Sequence, residues 1–233
     1  MKQYSLTAQH IQKKYNGSPV LNDVSIKVER GAIYGLIGKN GSGKTTLLRI
    51  LTGLIPVYEG RVSLEKLDNR VPRVAAVIDS PSLFLNMTAM ENLKAHSLLL
   101  GIQENTQLEE VLKTVDLNST QSKRVKDFSL GMVQRLKLAM ALLAGPDILI
   151  LDEPLNGLDP DGIKELRELL LRLNRDKAVT ILISSHVLSE LEQVASCFGI
   201  LHDGAIVKEL TAEDVCQRGN LEDLYLEYTQ RRN

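Results

Sequence analysis

A glycine-rich segment at residues 38–45 constrains the fold of this chain more than any other stretch. It reads GKNGSGKT, which fits a glycine, four free positions and then Gly-Lys-Ser/Thr. An apolar run at 32–37 predicts a buried strand before the segment, and residues 46–51 predict a helix after it. A strand, a glycine loop and a helix in this order are typical of a phosphate-binding loop. The alternative is a glycine-rich turn that happens to be followed by Lys-Thr.

Each residue type in this loop has a predicted contact with a nucleotide. The glycines let backbone N–H groups turn inward, and these groups form an anion site together with the helix N-terminus. Lys44 is predicted to reach the β- and γ-phosphates, and the Thr45 hydroxyl to bind Mg²⁺. The predicted nucleotide-binding residues of the loop are Gly38, Lys39, Asn40, Gly41, Ser42, Gly43, Lys44, Thr45 and Thr46.

The composition narrows the class of protein. A chain of 233 residues suffices for one large domain or for a domain with a subdomain. Its net charge of −1 argues against a general nucleic-acid binder, so we expect no nucleic-acid partner. Cys197 and Cys216 suggest neither a disulfide framework nor a metal site and fit a reducing cytosol. No apolar run approaches the roughly 18 residues of a membrane span, so a membrane role would need a partner.

The order of the predicted elements indicates an α/β fold with an inserted helical block. Apolar residues alternate over 3–30, as at Leu6, Ala8 and His10, and predict edge strands around a turn at 15–19. A turn at 59–60 and a strand at 61–64 follow, and apolar runs predict buried strands at 74–78, 148–151 and 179–183. Helices are predicted from 88 to 127, with capping boxes beginning at Thr88 and Thr106, and Ser129 begins another helix.

Polar residues at two strand ends predict the rest of a catalytic site. Asp152 ends an apolar strand and would hold the water shell of Mg²⁺ opposite Thr45. The neighbouring Glu153 can act on a water as general base. His186 follows Ser184-Ser185 at another strand end, where its imidazole could hydrogen-bond a γ-phosphate oxygen. A purely structural histidine is the alternative for His186.

With these motifs in order, the chain resembles the nucleotide-binding subunits of ABC transporters over essentially its whole length. The match consists of Walker A at 38–45, a signature-like segment at 129–135, Walker B ending at Asp152 and Glu153, a D-loop at 156–160, and His186 as the switch histidine. The resemblance implies a single ABC ATPase domain over 1–233, with a P-loop NTPase RecA-like core and an antiparallel β edge. The core would comprise 1–79 and 146–233, and 80–145 would form an inserted α-helical subdomain that includes the signature segment.

The same resemblance implies ligands and partners. ATP and Mg²⁺ are the implied cofactors, and the implied assembly is a head-to-tail dimer with itself or with a paralogous ATPase subunit. Integral-membrane permease subunits would hold the dimer at the cytoplasmic face of the cell membrane. Tyr15 matches an aromatic residue that stacks on adenine, although a packed aromatic is the alternative. The residues implied to contact ATP of the opposite subunit are Ser129, Leu130, Gly131, Met132 and Asp159.

Two departures from the family pattern restrict the resemblance to one branch of the family. The usual signature is Leu-Ser-Gly-Gly-Gln, and here Leu130 and Met132 replace its first Gly and its Gln. Asp79 occupies the place of the Gln that opens the Q-loop and is a further candidate metal contact, although it is shorter and charged. Together with residues 80–81, 88–93 and 129–132, this pattern resembles the ATPases of bacitracin-resistance and lantibiotic-immunity transporters.

The resemblance therefore implies an ATPase that powers transport by a separate permease. The cargo would be an antimicrobial peptide, an antibiotic or another hydrophobic compound, exported from the cell. The alternative is a non-transport ABC ATPase that serves as a scaffold or assembly ATPase. The permease would dock around 79–87, where Phe84, Leu85 and Met87 offer apolar contacts, unless these side chains belong to the core.

Overall fold

A six-stranded sheet forms the centre of the fold in the computed structural model. The structure describes residues 3–67, 69–79, 83–102, 105–120 and 122–230, with 105 and 106 described by their backbone alone. The strands are β1 (Tyr4–Tyr15), β2 (Ser18–Glu29), β3 (Ile33–Ile37), β4 (Glu59–Leu64), β5 (Val74–Val77), β6 (Ile148–Asp152), β7 (Thr180–Ser185), β8 (Cys197–His202) and β9 (Ala205–Thr211). The helices are α1 (Lys44–Leu51), α2 (Ala89–Leu99), α3 (Asn105–Thr114), α4 (Leu130–Leu142), α5 (Pro160–Lys177), α6 (Leu188–Glu192), α7 (Ala212–Arg218) and α8 (Leu221–Gln230).

The central sheet brings the ends of several strands to one edge. Its order is β5-β6-β7-β3-β8-β9, and all neighbouring pairs are parallel except β8 and β9. Residues of β3 and β7 are buried throughout, as expected for parallel strands covered on both faces. In the register of the sheet, Ile37 lies beside Ser185 and Asp152 lies beside Ser184. The segments that follow β3, β6 and β7 therefore meet at one edge of the sheet.

The predicted N-terminal strands form a second sheet of order β2-β1-β4, antiparallel throughout. Leu6 and Ala8 are buried as predicted, but the predicted alternation is wrong at His10, which is exposed. His10 has φ 53°, and the register of β1 shifts between Ala8 and Ile11. This bulge moves the next buried position to Ile11, so the strand keeps an apolar face with one extra residue.

Two predicted boundaries are wrong, for different physical reasons. The predicted turn at Glu59 and Gly60 is absent, because both residues begin β4. Gly60 is in the strand because it faces the bulge of β1, where a Cβ would lie 2.4 Å from the carbonyl oxygen of His10. The capping box at Thr88 and Glu91 is confirmed, whereas Thr106 is not a cap, since α3 begins at Asn105.

The helical block lies between β5 and β6 in the chain and shares the core of the central sheet. One hydrophobic cluster includes Leu93 of α2, Leu112 of α3, Leu136 of α4 and Leu151 of β6. The division into 1–79, 80–145 and 146–233 stays a prediction, and Ser80 and Pro81 at its first boundary lie outside the described residues. None of the helices in the described ranges is long and apolar enough to cross a membrane.

The bulge opposite Gly60 leads to a prediction about stability. Gly60 (φ 98°) and Gly101 (φ 70°) both have positive φ, but a Cβ at Gly101 would meet nothing within 4 Å. Both Ala variants bear the backbone penalty of a positive φ, and only Gly60→Ala adds a clash with backbone. We expect Gly60→Ala to lower the free energy of unfolding by about 1–3 kcal/mol more than Gly101→Ala does. Urea unfolding followed by circular dichroism measures both, and equal losses would contradict the bulge.

Candidate functional site

The loop between β3 and α1 has the backbone that an anion site requires. Gly41 and Gly43 have φ of 83° and 107°, and Gly43 is the N-cap of α1. A Cβ at Gly43 would lie 2.7 Å from Leu21 Cδ2 of β2, and one at Gly38 would lie 2.4 Å from Ser42 Oγ. Glycine is therefore required at these two positions by close packing, and at Gly43 also by its left-handed φ. The predicted strand, loop and helix are confirmed.

Lys44 is folded back onto its own loop. Its side chain is only 6% exposed, and Nζ donates to the carbonyl oxygens of Gly38 (2.6 Å) and Lys39 (3.2 Å). The same Nζ lies 3.2 Å from Glu153 Oε1. A buried ammonium group needs such partners, because burial without them is costly. Phosphate oxygens arriving at the loop could replace them.

The Asp152 carboxylate is held from two sides. Thr45 Oγ1 donates to Asp152 Oδ2 (2.7 Å), and Ser184 Oγ donates to Asp152 Oδ1 (2.6 Å). The structure thus brings two of the three predicted metal-binding residues, Thr45 and Asp152, into contact. Over the described ranges, no three His, Cys, Asp or Glu side chains are grouped so as to enclose a metal. One hydroxyl and one carboxylate fit Mg²⁺, which keeps several water and phosphate ligands.

Glu153 and His186 are in direct contact at the ends of β6 and β7. Glu153 Oε2 accepts from His186 Nδ1 (2.8 Å), and the Glu153 backbone N–H donates to Ser184 Oγ (3.0 Å). Glu153 has φ 48°, so the chain turns sharply after β6. The side chains of Asp152 and Glu153 therefore have different partners, and Glu153 is the carboxylate with an oxygen near Lys44.

Several buried polar atoms at the loop lack full partners. Buried side-chain oxygens are normally hydrogen-bonded. Within the part of the chain that the structure describes, the exceptions are Ser42 Oγ, Glu153 Oε1, Tyr225 Oη and Glu190 Oε2. Ser42 belongs to the loop, Glu153 Oε1 lies near Lys44, and Tyr225 lines a depression beside the loop. Three of the four buried oxygens therefore lie around the loop, where a polar ligand could supply their missing hydrogen bonds.

Tyr15 is a surface residue next to the β1–β2 hairpin turn. Tyr15 is 43% exposed, and Lys13 Nζ lies 5.0 Å from the centroid of its ring. This exposure argues against the alternative of a packed aromatic. The same hairpin approaches the loop through Leu21, which faces Gly43. Stacking of Tyr15 on adenine stays a prediction.

The signature-like segment and the D-loop face one another. Ser129 Oγ caps α4 by accepting from the Met132 N–H (3.3 Å), and Asp159 Oδ1 caps α5 by accepting from the Gly162 N–H (3.0 Å). Met132 packs partly against the hydrophobic cluster. The other four predicted contacts to the opposite subunit line one open depression of about 380 Å³: Ser129, Leu130, Gly131 and Asp159.

Asp79 forms an ion pair that sequence reasoning missed. Its Oδ2 lies 2.6 Å from Arg49 Nη2, in the last turn of α1, and both side chains are partly exposed. Its contact with Mg²⁺ stays a prediction.

The predicted docking segment also includes Phe84 and Leu85, whose exposed fractions of 55% and 57% exclude the alternative of core packing.

Ser184 and Tyr225 are further site residues that sequence reasoning did not assign. Ser184 could have been found, because a hydroxyl at the end of a buried strand lies next to the predicted carboxylates. No pattern in the sequence points to Tyr225, since its contact with the loop depends on how the C-terminal helix packs. Long-range contacts of this kind have no local signal.

The chain is similar in sequence and in structure to ATP-binding proteins of ABC transporters. The family model described as "ABC transporter" matches residues 21–156. The bacitracin transport ATP-binding protein BcrA of Bacillus licheniformis is 40% identical over 224 residues, 94% of this chain and 72% of that protein. The lantibiotic transport ATP-binding protein SrtF of Streptococcus pyogenes is 40% identical over 223 residues, 94% of this chain and 95% of its own. A solved ATP-binding subunit of an ABC transporter is 30% identical with a TM-score of 0.80, covering 96% of this chain and 98% of that chain.

The contacts of Lys44 lead to a prediction about nucleotide binding. Lys44→Ala removes a buried charge that faces the anion site, so we expect ATP binding to weaken by about 2–5 kcal/mol. Lys164→Ala, on the exposed face of α5, removes the same charge away from the loop and should bind ATP as the unchanged protein does. Isothermal titration calorimetry measures both affinities, and thermal unfolding checks that both variants fold. Equal affinities in the two variants would refute an anion site at Lys44.

Proposed function

The chain belongs to the ABC transporter family, and we propose that it binds Mg·ATP at residues 38–46 and hydrolyses it with Glu153 as the general base. As a member of this family, it is an ATP-binding subunit whose ATPase activity powers transport by a separate permease. One observation carries the assignment of roles. The predicted phosphate-binding, metal-binding and catalytic side chains meet at one sheet edge within hydrogen-bonding distance of one another: Lys44, Thr45, Asp152, Glu153 and His186.

Binding begins with an exchange of partners at Lys44. The Lys44 ammonium lies 3.2 Å from the Glu153 carboxylate, so each neutralises the other. The triphosphate carries more negative charge than one carboxylate, and the loop N–H groups add to its attraction. Lys44 then turns to the β- and γ-phosphates, and Glu153 Oε1 becomes free to accept a proton. Thr45 and Asp152 would hold Mg²⁺, which when bound neutralises charge on the phosphates.

Glu153 then activates water for hydrolysis. Glu153 Oε1 accepts a proton as the water oxygen attacks the γ-phosphorus, and the bond from this phosphorus to the β,γ-bridging oxygen breaks, giving ADP and phosphate. The imidazole of His186, whose Nδ1 lies 2.8 Å from Glu153 Oε2, hydrogen-bonds a γ-phosphate oxygen in this proposal.

The second half of each site comes from a second subunit in this proposal. Two chains, or one chain and a paralogous ATPase subunit, join head to tail. The open depression at the start of α4 then faces the nucleotide of the partner. Ser129 and Gly131, which match the family signature, support this role. The proposed contacts to the opposite ATP are Ser129, Leu130, Gly131, Met132 and Asp159.

The permease holds the subunit at the cytoplasmic face of the membrane in this proposal. Phe84, Leu85 and Met87, with exposed fractions of 55%, 57% and 39%, offer it an apolar surface.

The relatives transport bacitracin and a lantibiotic, so the cargo proposed for this chain is an exported peptide antibiotic or another hydrophobic compound. ATPase activity of the reconstituted complex should rise when bacitracin or a lantibiotic is added. Co-purification with a membrane protein separates this role from that of an assembly ATPase.

Glu153→Gln tests the catalytic assignment. Gln retains the size of Glu but cannot take a proton from water, so hydrolysis should fall by roughly 10²–10⁴-fold while ATP stays bound. Glu168→Gln, an exposed carboxylate on α5, is the matched control and should hydrolyse ATP normally. Phosphate release from the complex with the permease measures the rate. A normal rate in Glu153→Gln would show that Glu153 is not the general base. Asp79 would then be the next residue to test.

Ser129→Arg tests the two-chain site. Occupied sites in Glu153→Gln should accumulate a closed dimer, which light scattering detects with Mg·ATP. Adding Ser129→Arg places bulk beside the opposite phosphates and should prevent the dimer without weakening ATP binding by the single chain. A dimer that forms equally well with Arg at this position would show that Ser129 lies outside the interface.

Tyr15 variants test stacking on adenine. Tyr15→Ala should weaken ATP binding by about 1–3 kcal/mol, whereas Tyr15→Phe and Tyr15→Trp should largely preserve it. Calorimetry with ATP and with inorganic triphosphate separates the base contact from the phosphate contacts, because triphosphate should bind all variants alike. Equal ATP affinities for the Ala and Phe variants would exclude stacking.

A further inference from the structure

Tyr225 connects the C-terminal helix to the phosphate loop. It lies on α8 and is only 6% exposed. With Gly38, Lys39, Asn40 and His186, it lines a depression of about 230 Å³ beside the loop. Neither the family motifs nor the mechanism above assigns it a role.

The hydroxyl of Tyr225 is buried without a complete partner. Its Oη reaches no hydrogen-bond partner of full geometry among the residues described, although the backbone N–H of Lys39 faces it. Burial raises the pKa of Tyr225, the Lys39 N–H opposes this shift, and the Asp203 carboxylate adds to it. The hydroxyl therefore keeps its proton at neutral pH and can both donate and accept. A buried hydroxyl left in this state requires an explanation.

The helix holds this hydroxyl in a fixed place. Leu221 and Leu224 are buried on the same helix, and the Leu221 N–H donates to Glu192 Oε2 of α6 (3.0 Å). The segment anchored here is the one that directly follows His186 in the chain. Tyr228, one turn further along α8, is different, because its Oη accepts from Arg218 Nη1 (2.6 Å). Tyr225 is thus the tyrosine of α8 that faces the nucleotide site.

We propose that Tyr225 is a positioning residue for the γ-phosphate end of the ATP site. When the loop closes around the triphosphate, the Lys39 N–H completes its hydrogen bond to Tyr225 Oη. This contact fixes the first turn of the loop and the place of His186 beside it. The inference rests on the proposed function and adds to it a contact from the C-terminal helix. Because His186 lies toward the γ-phosphate in that proposal, the contact matters more for ATP than for ADP.

Tyr225→Phe tests the role of the hydroxyl, because it retains the ring and its packing. The full chain and its variants are titrated with Mg·ATP and with Mg·ADP. We expect Tyr225→Phe to weaken ATP binding about threefold to tenfold, the effect of one hydrogen bond, and ADP binding less than about twofold. The ratio of the two affinities is a readout that loss of packing alone would leave unchanged. Tyr228→Phe is the matched control and should bind both nucleotides as the unchanged protein does.

Lys39→Pro is a second variant that keeps the proposal testable if Tyr225→Phe folds poorly. It removes the N–H that faces the hydroxyl and leaves Tyr225 in place. It should change the ATP-to-ADP affinity ratio in the same direction, and the double variant should lose no more than the stronger single one. An unchanged ratio in either folded variant, or an equal loss for both nucleotides, overturns the inference. If the unchanged protein bound neither nucleotide, the proposed function itself would fail, and this inference with it.

Discussion

The Asp152 carboxylate joins three elements on which the whole site depends. It accepts from Thr45 at the start of α1 and from Ser184 at the end of β7, while belonging itself to β6. Ser184 Oγ also accepts from the backbone N–H of Glu153, so one small network positions both carboxylates. Each bond in such a chain polarises the next, and loss of one member leaves buried polar atoms unpaired. These hydrogen bonds hold Asp152 and Glu153 at the same edge of the sheet.

The pairing of Lys44 with Glu153 links binding to chemistry. A carboxylate that neutralises a buried ammonium is a poor acceptor for a proton from water, because protonation would leave the cation unpaired. In the proposed function, a ligand that supplies another anion to Lys44 frees Glu153 to act as the general base. ATP is such a ligand, so hydrolysis follows binding in the proposed order.

The sequence predicted the parts of the fold that depend on local pattern. Continuous apolar runs located the parallel strands, and the strand ends then placed Asp152 and His186 in one crevice. The prediction that His10 continues the buried alternation of β1 was wrong. A bulge depends on the facing strand and on the space that Gly60 leaves there, and neither can be read from the residues around His10. Sequence reasoning also missed Tyr225, since the packing of a C-terminal helix against the loop has no signature in the helix itself. Local rules thus predict elements, whereas register and distant contacts require the tertiary structure.

The helix α1 connects the nucleotide site to the segment proposed to meet the permease. Its first residues carry Lys44 and Thr45, and Arg49 in its last turn pairs with Asp79. A helix of this length spans roughly 12 Å and moves as a unit, because its backbone hydrogen bonds make it stiff along its axis. A shift of the phosphate loop around ATP must therefore either carry Asp79 along or break its ion pair with Arg49. In the proposed function, the ion pair between Arg49 and Asp79 therefore lies between the nucleotide site and the exposed Phe84 and Leu85, which follow Asp79 by a few positions in the sequence.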